Sequence, residues 1–220
     1  MNRFWPALLS ALWVSSGWAA WPEIPSPRNS KIENVGENVR LNGIPMRMQR
    51  VLSTGRPADI MRFYRESLGP KHAMEKLSDG LLLSQGQGDY FVTIRIKVLG
   101  PSLTETLTSV SDARAAQGNA QRPLSFPIPA ETQVLSDMES TDAGKISRHL
   151  VLVNNHSVDT NVDYLTRVLT ARGFRPEPRE TRNLEGGRVL MFGGASREAR
   201  LVVLRKAEAS NVVLTTILTP

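Results

Sequence analysis

One arrangement of apolar patterns occurs twice in this 220-residue chain: an alternating stretch, a helical stretch and three further alternating stretches. Alternation of apolar and polar residues is typical of a β-strand with one buried face, whereas apolar spacings of three and four residues are typical of an amphipathic helix. The two occurrences are offset by about one hundred residues, which is within the size range of small domains. This repeated order constrains the fold more than any single motif in the chain.

The later occurrence is the better formed. Its predicted strand, helix and three further strands are, in order, Arg148–Val153, Val158–Arg172, Arg188–Phe192, Ala199–Lys206 and Val212–Leu218. Val162, Leu165 and Leu169 fall on one face of the predicted helix, as a helix packed on a sheet requires. Gly173 then ends this helix.

The earlier occurrence has the same order of elements. Its predicted strand, helix and three strands are Met46–Leu52, Pro57–Leu68, Leu81–Leu83, Tyr90–Leu99 and Leu103–Val110. Pro57 suits the first position of a helix, because the amide of that position has no partner inside the helix. Gly69 and Pro70 end the helix.

We therefore predict an α+β fold of two tandem β-α-β-β-β modules, each an antiparallel sheet with one helix packed on a face. The first module covers residues 21–111 and the second covers residues 126–220. Residues 112–125 are mostly small and polar, and Pro123, Pro127 and Pro129 stand at and just after their end, which is typical of a linker. The alternative is that any α+β chain can be divided into halves that look alike.

Residues 1–20 have the layout of a secretory signal peptide. Arg3 precedes an apolar run, and small residues allow cleavage after Ala19 or Ala20. The alternative is an uncleaved N-terminal anchor. No later stretch is long and apolar enough to span a bilayer, so we predict a mature chain without a transmembrane segment, periplasmic or secreted. The chain has no cysteine, which excludes disulfides and thiolate metal sites.

Positive charge is the feature with the clearest bearing on partners. The formal net charge is +6, which favours anionic partners such as an acidic polymer, lipid headgroups or an acidic protein. Arginines suited to carboxylate or phosphate recognition cluster around the end of the second predicted helix. This candidate anion or partner contact consists of Arg172, Arg175, Arg179, Arg182 and Arg188. The alternative is a solvated loop of mixed charge, because glutamates lie between these arginines.

Residues that carry catalysis are sparse in the sequence. The three histidines, His72, His149 and His156, lack the spacing of a helical zinc site. The chain has no Gly-x-Ser-x-Gly motif, and its glycine pairs do not begin helices as a phosphate-binding loop would. We therefore predict no catalytic residues, no metal and no cofactor.

Three functional hypotheses follow. The leading one is an exported, non-enzymatic envelope protein that acts as a protein-binding or assembly module, as an accessory of a secretion, pilus or cell-wall system. The alternative is a basic protein that binds an anionic polymer or a membrane surface through the arginines of the second module. The third is a hydrolase whose site is not recognised from the sequence, with activity that depends on His149 or His156.

Overall fold

Antiparallel strands dominate residues 21–36, 38–119 and 124–220, which are the residues described in this computed structural model. Strands make up 56% and helices 17%. In chain order the strands are β1 Ser30–Asn34, β2 Asn38–Leu41, β3 Ile44–Thr54, β4 Ala73–Leu77, β5 Gly80–Gln87, β6 Tyr90–Gly100, β7 Leu103–Asp112, β8 Gln133–Asp142, β9 Lys145–Asn154, β10 Arg175–Pro176, β11 Arg182–Leu184, β12 Gly187–Gly194, β13 Arg197–Lys206 and β14 Ala209–Leu218. The helices are α1 Pro57–Leu68, α2 Ala113–Asn119 and α3 Val158–Ala171, and Pro178–Glu180 form a 3₁₀ turn.

The 14 strands of the described residues form one sheet in the order β10-β12-β13-β14-β9-β8-β2-β3-β7-β6-β5-β4. In addition, β1 pairs with β3, and β11 pairs with β12. The sheet is continuous at its centre because β2 pairs with β8, with Arg40 opposite Glu139 and Leu41 opposite Met138. We call β1–β7 with α1 and α2 the first half, and β8–β14 with α3 the second half.

The predicted fold class, two tandem α+β modules, is wrong. The chain forms a single large antiparallel sheet, because the two central strands, β2 and β8, pair edge to edge. The helices are few and short. An unpaired sheet edge leaves backbone amide and carbonyl groups without partners, and the pairing of β2 with β8 satisfies them. Two separate modules would leave both of these edges free.

Both predicted long helices are present. The described helix α1 has the predicted bounds, and Pro57 stands at its start. Helix α3 begins after Ser157, whose hydroxyl accepts a hydrogen bond from the Thr160 amide at 3.0 Å, as an N-cap does. The apolar faces predicted for these helices are the buried ones, with Tyr64 and Leu165 fully buried.

The two helices pack on the same side of the sheet. Facing residues of an antiparallel pair share a side. A path that steps between facing residues, or by two residues along one strand, stays on one side of the sheet. Such a path from Leu150 in β9 passes Glu139, Arg40 and Pro45 and ends at Val51 in β3, so these residues share a side. We call this side of the sheet the helix side, and the opposite side the open face.

Each half has its own apolar core under its helix. In the first half, α1 packs on β5 and β6. In the second half, α3 packs on β9, β12, β13 and β14. The chain that leads into β8 also enters this second core, where Phe126 is only 4% exposed. The core of the second half therefore includes residues that precede α3 in the sequence and residues that follow it.

Two predicted segments are described only in part or not at all. The predicted signal peptide, residues 1–20, lies outside the described residues, as do residues 120–123 of the predicted linker. The described start of that linker forms α2, directly after β7. Within the described residues, no helix combines the length and the apolar character needed to cross a membrane.

Candidate functional site

The five predicted arginines are divided between the two sides of the sheet. Arg175 lies opposite Gly193, and Arg182 lies opposite Val189. Gly193 and Val189 are each an odd number of residues from Leu190, a core residue of β12, so they face the opposite side of the sheet. The two arginines that pair with them therefore lie on the open face. The structure does not bring the five residues into one cluster.

The other three predicted arginines have different surroundings. Arg188 lies on the helix side and forms an ion pair with Asp159 near the start of α3, at 3.0 Å. Arg172 ends α3 at the opposite end of that helix. Arg179 is exposed in the 3₁₀ turn. Strand alternation separates neighbours in sequence, which explains why a cluster in the sequence is not a cluster in space.

The open face of the second half carries a row of four valines. Val151 lies opposite Val213, Val213 opposite Val202, and Val202 opposite Val189. The row crosses β9, β14, β13 and β12, and each valine is partly exposed. Sheets with one face covered by helices usually present polar side chains on the other face, so an aliphatic row here is unusual.

Further apolar side chains extend this row. Leu204, 39% exposed, lies opposite Gly187, which places it beside Val202 on β13. Met191 and Ile217 line a shallow depression of about 200 Å³ on the same face. We call this surface the aliphatic face; its members are Val151, Val153, Val189, Met191, Val202, Leu204, Val213 and Ile217.

The open face of the first half is charged at the corresponding place. There the row across β3, β7, β6 and β5 consists of Arg50, Leu107, Arg95 and Leu82. Arg50 donates from Nε to Glu105 at 2.6 Å and from Nη1 to Glu33 at 3.1 Å. Two of the four positions that are valine in the second half are therefore arginine in the first.

Positive side chains flank the aliphatic face beyond β12 and along β13. Arg175, Arg182, Arg200 and Lys206 are exposed on the open face of β10, β11 and β13. Two carboxylates described on the same face are Glu198 and Glu177. The side chain of Glu177 occupies the space above Gly193 that any larger residue at that position would fill. Of the described side chains placed on this face, the four named cations outnumber these two carboxylates.

A second candidate site lies on the helix side, where the sheet extends past the end of α3. It is a groove of about 640 Å³ between the end of α3, the β12–β13 turn and the hairpin of β8 and β9. Four arginines line this groove: Arg40, Arg148, Arg172 and Arg197. Of the predicted site residues, only Arg172 is part of it.

Arg148 is neutralised inside the groove. Its Nε and Nη2 donate to the two carboxylate oxygens of Asp137, each at 2.7 Å, and its Nη1 lies 3.4 Å from Glu139. The Arg148 side chain is only 13% exposed. This arginine holds the strands and the segment at Ser125 together, and it is already fully paired.

Arg172 and Arg197 are held in place without a carboxylate. The Arg172 guanidinium lies 4.6 Å from the ring centre of Phe126, and that of Arg197 lies 5.8 Å from the ring centre of Phe174. Arg197 also donates to the backbone oxygen of Arg172, and Arg172 donates to the Ser125 carbonyl at 3.3 Å. In the described part of the chain, neither forms an ion pair with an acidic side chain. These contacts fix both cations and leave charge available to a ligand.

The three histidines bind backbone or hydroxyl groups. His149 contacts the Thr215 hydroxyl at 3.0 Å on the open face, and His156 contacts the Ala130 carbonyl at 2.8 Å. His72 contacts the Gly69 carbonyl at 2.6 Å. Among the described residues, no group of three or more potential ligands is placed to hold a metal ion.

Sequence reasoning missed both the aliphatic face and the groove. The valines come from four strands that the sequence shows as ordinary alternating runs, and no local signal says which face a helix leaves uncovered. In the groove, Arg148 begins a strand predicted from the sequence and Arg197 lies two residues before another, but their neighbours come from residues far away along the chain. Comparison with protein-family models, with curated proteins and with solved structures found no match.

Proposed function

We propose that this chain is an exported, non-enzymatic envelope protein that binds a partner protein through the aliphatic face. The single observation that carries the proposal is the valine row Val151–Val213–Val202–Val189 on a face opposite both long helices. A continuous apolar patch on a protein surface marks an interaction site more often than scattered exposed side chains do.

The size of the face supports a stable interface. The face is built on β9, β14, β13 and β12, four neighbouring strands. With strands about 4.8 Å apart and a rise of about 3.4 Å per residue, roughly eight residues of each of the four strands cover about 520 Å². A typical specific interface buries about 800 Å² on each partner, so the face and its rim together are large enough.

The rim indicates the chemistry of the partner. Arg175, Arg182, Arg200 and Lys206 face two carboxylates described on the same side, Glu198 and Glu177. A partner with an apolar centre and an acidic rim is complementary to this surface, whereas a second copy of the chain would place like charges together. We therefore propose a different, acidic-rimmed protein as the occupant rather than a homodimer.

The division of the arginines over two sides favours this proposal over an anionic-polymer surface. Such a surface needs many cations on one continuous side, and Arg188 and Arg172 are on the side away from Arg175 and Arg182. We place the protein in a secretion, pilus or cell-wall system as an accessory, and this part rests on the predicted signal peptide.

Site-specific photo-cross-linking in cells that make the protein tests the proposal. A photoreactive residue in place of Val202 should give a discrete cross-linked product with another protein. The same residue in place of Arg95, at the matching position of the first half, should not. Equal products from both positions, or none from position 202, would overturn the proposed face. A product of twice the chain's own mass would identify a homodimer and refute the acidic-rimmed partner.

A matched pair of variants then measures affinity for the cross-linked partner. Val189→Glu places a charge in the valine row, and Leu82→Glu makes a comparable change at the matching position of the first half. We expect Val189→Glu to weaken binding by about tenfold or more, because a charged group in the centre of an interface loses its hydration. Leu82→Glu should bind as the parent does, and both variants should keep the parent's circular dichroism spectrum.

A further inference from the structure

We propose that the groove at the end of α3 binds a small organic oxyanion with an apolar body. This site is on the helix side, opposite the aliphatic face. The proposal therefore adds a ligand to the protein-binding function.

Charge complementarity is the first argument. The side chains of four arginines line the groove. The acidic side chains near them are Glu139, which also lines it, and Asp137, which lies behind Arg148. Both carboxylates contact Arg148, so four side-chain cations of the groove face two carboxylates. Arg172 and Arg197 contact no acidic side chain in the described part of the chain and are available to a ligand. Guanidinium groups form paired hydrogen bonds with the two oxygens of a carboxylate or a phosphate ester.

Preorganisation is the second argument. Free arginine side chains lose rotamer freedom when they bind, and that loss reduces affinity. Here Arg172 lies against the Phe126 ring and Arg197 against the Phe174 ring, and a hydrogen bond from Arg197 to the Arg172 carbonyl links the two residues. Both cations are therefore held in place before a ligand binds.

The third argument is the shape and lining of the groove. Its volume of about 640 Å³ lies within the range of small-molecule sites, roughly 300–1,000 Å³. Ile146 and Leu218, exposed by 45% and 36%, line it beside the arginines. An apolar body can therefore cover these side chains while its anionic end reaches the guanidinium groups.

The first half contains a comparable groove with a different lining. This groove of about 760 Å³ lies against the segment at Pro22–Ile24, and its arginine, Arg47, lies 5.1 Å from the ring centre of Trp21. Glu23 lines it as well, so its side-chain charges balance. The surplus of cations is thus a property of the second groove and not of the fold, and Arg47 provides an internal control.

Calorimetric titration of the full chain with defined probes tests the site. The probes are 2-naphthoate, 2-naphthyl phosphate and the neutral 2-naphthamide. We expect one of the anions to bind about tenfold or more tightly than the amide, because charge-assisted hydrogen bonds form only with the anion. Tighter binding of the carboxylate or of the phosphate ester assigns the natural oxyanion to that class. Equal binding of the amide, or no binding of either anion, would overturn the proposal.

Variants locate the binding to this groove. Arg172→Gln should weaken binding of the preferred anion by about tenfold, since it removes one of the two free cations. Ile146→Glu should abolish binding, because its carboxylate repels the anion. Ile146 is exposed and does not contribute to a core, so this variant should fold even if Arg172→Gln does not. Arg47→Gln should leave the affinity unchanged. A loss of affinity in Arg47→Gln, or none in Ile146→Glu, would place the ligand elsewhere and refute the site.

Discussion

A buried pair of asparagines joins the end of β9 to the first turn of α3, and its removal should reveal a large coupling energy. Asn154 donates to Asn161 at 2.8 Å, and Asn161 donates back at 3.0 Å. The two residues are 4% and 0% exposed. Asn154 also donates to Thr132, and Asn161 donates to the Ser157 carbonyl, each at 3.0 Å.

The structure sets the expected magnitude. Asn161→Ala removes three of these hydrogen bonds and leaves Asn154 buried without its main partner. At about 1 kcal/mol per bond, together with the cost of an unsatisfied amide, the free energy of unfolding should fall by about 3–4 kcal/mol. Asn154→Ala should cost about the same. The double variant should cost about 2 kcal/mol less than the sum, because the mutual bonds are lost only once.

Urea unfolding at 25 °C, followed by far-ultraviolet circular dichroism, measures these values. The control Asp163→Ala changes an exposed residue of the same helix and should stay within about 0.5 kcal/mol of the parent. Additive effects of the two asparagine variants, or a loss below about 1 kcal/mol for Asn161→Ala, would refute the reasoning that this pair anchors α3 to the sheet.

Three further predictions concern the sheet and the first core. Burial raises the pKa of Tyr64 to about 12 from an ordinary 10.0. Above about pH 10 the unfolded chain therefore releases a proton that the native state keeps; stability should fall as the pH rises to 12, and Tyr64→Phe should flatten this dependence in thermal melts. Ser140→Pro, in the strand that pairs with β2, should cost about 3 kcal/mol or more. In a chain without residues 1–20, where Trp21 is the one tryptophan, its fluorescence transition should then diverge from the circular dichroism transition; coincident transitions would contradict the role of this junction. Gly80→Ala should be destabilised by about 3 kcal/mol or more in urea titrations, because a Cβ would lie 1.9 Å from the Ile96 carbonyl oxygen and the φ of +158° disfavours any other residue; a loss below 1 kcal/mol would contradict this.

The two functional proposals can be separated by where their variants lie. The aliphatic face is on the open face, and the groove is on the helix side of the same half. Val189→Glu should leave anion binding unchanged, and Arg172→Gln should leave binding of the protein partner unchanged. A variant that removes both activities would point to a loss of fold, which circular dichroism detects.

Elements with a strong local signal were predicted well from the sequence. Helix α1 has the predicted bounds, Pro57–Leu68, because a proline at its start and a glycine after its end act through local backbone geometry. The alternation in Tyr90–Leu99 correctly predicted β6, since a sheet with one buried face imposes a period of two.

Elements that depend on distant partners were not predicted. Strand β8, Gln133–Asp142, is polar along much of its length and is not among the strands predicted from the sequence. Asp137 and Glu139 find their partner, Arg148, only after the hairpin with β9 has formed. The pairing of β2 with β8 joins residues about one hundred positions apart, and no local pattern indicates such a pairing. For that reason two modules were predicted where one sheet exists.

The amino-acid sequence by itself determined the local structure: the positions of the long helices, the alternation of the main strands and the supply of arginines. Only the tertiary structure decided which of these residues act together. Alternation sends Arg175 and Arg188 to opposite sides, and the pairing of four strands aligns Val151, Val213, Val202 and Val189 into one surface. The physical reason is that helix and strand propensities arise from neighbours in the chain, whereas binding surfaces arise from strand order and from the side of the sheet that the helices cover.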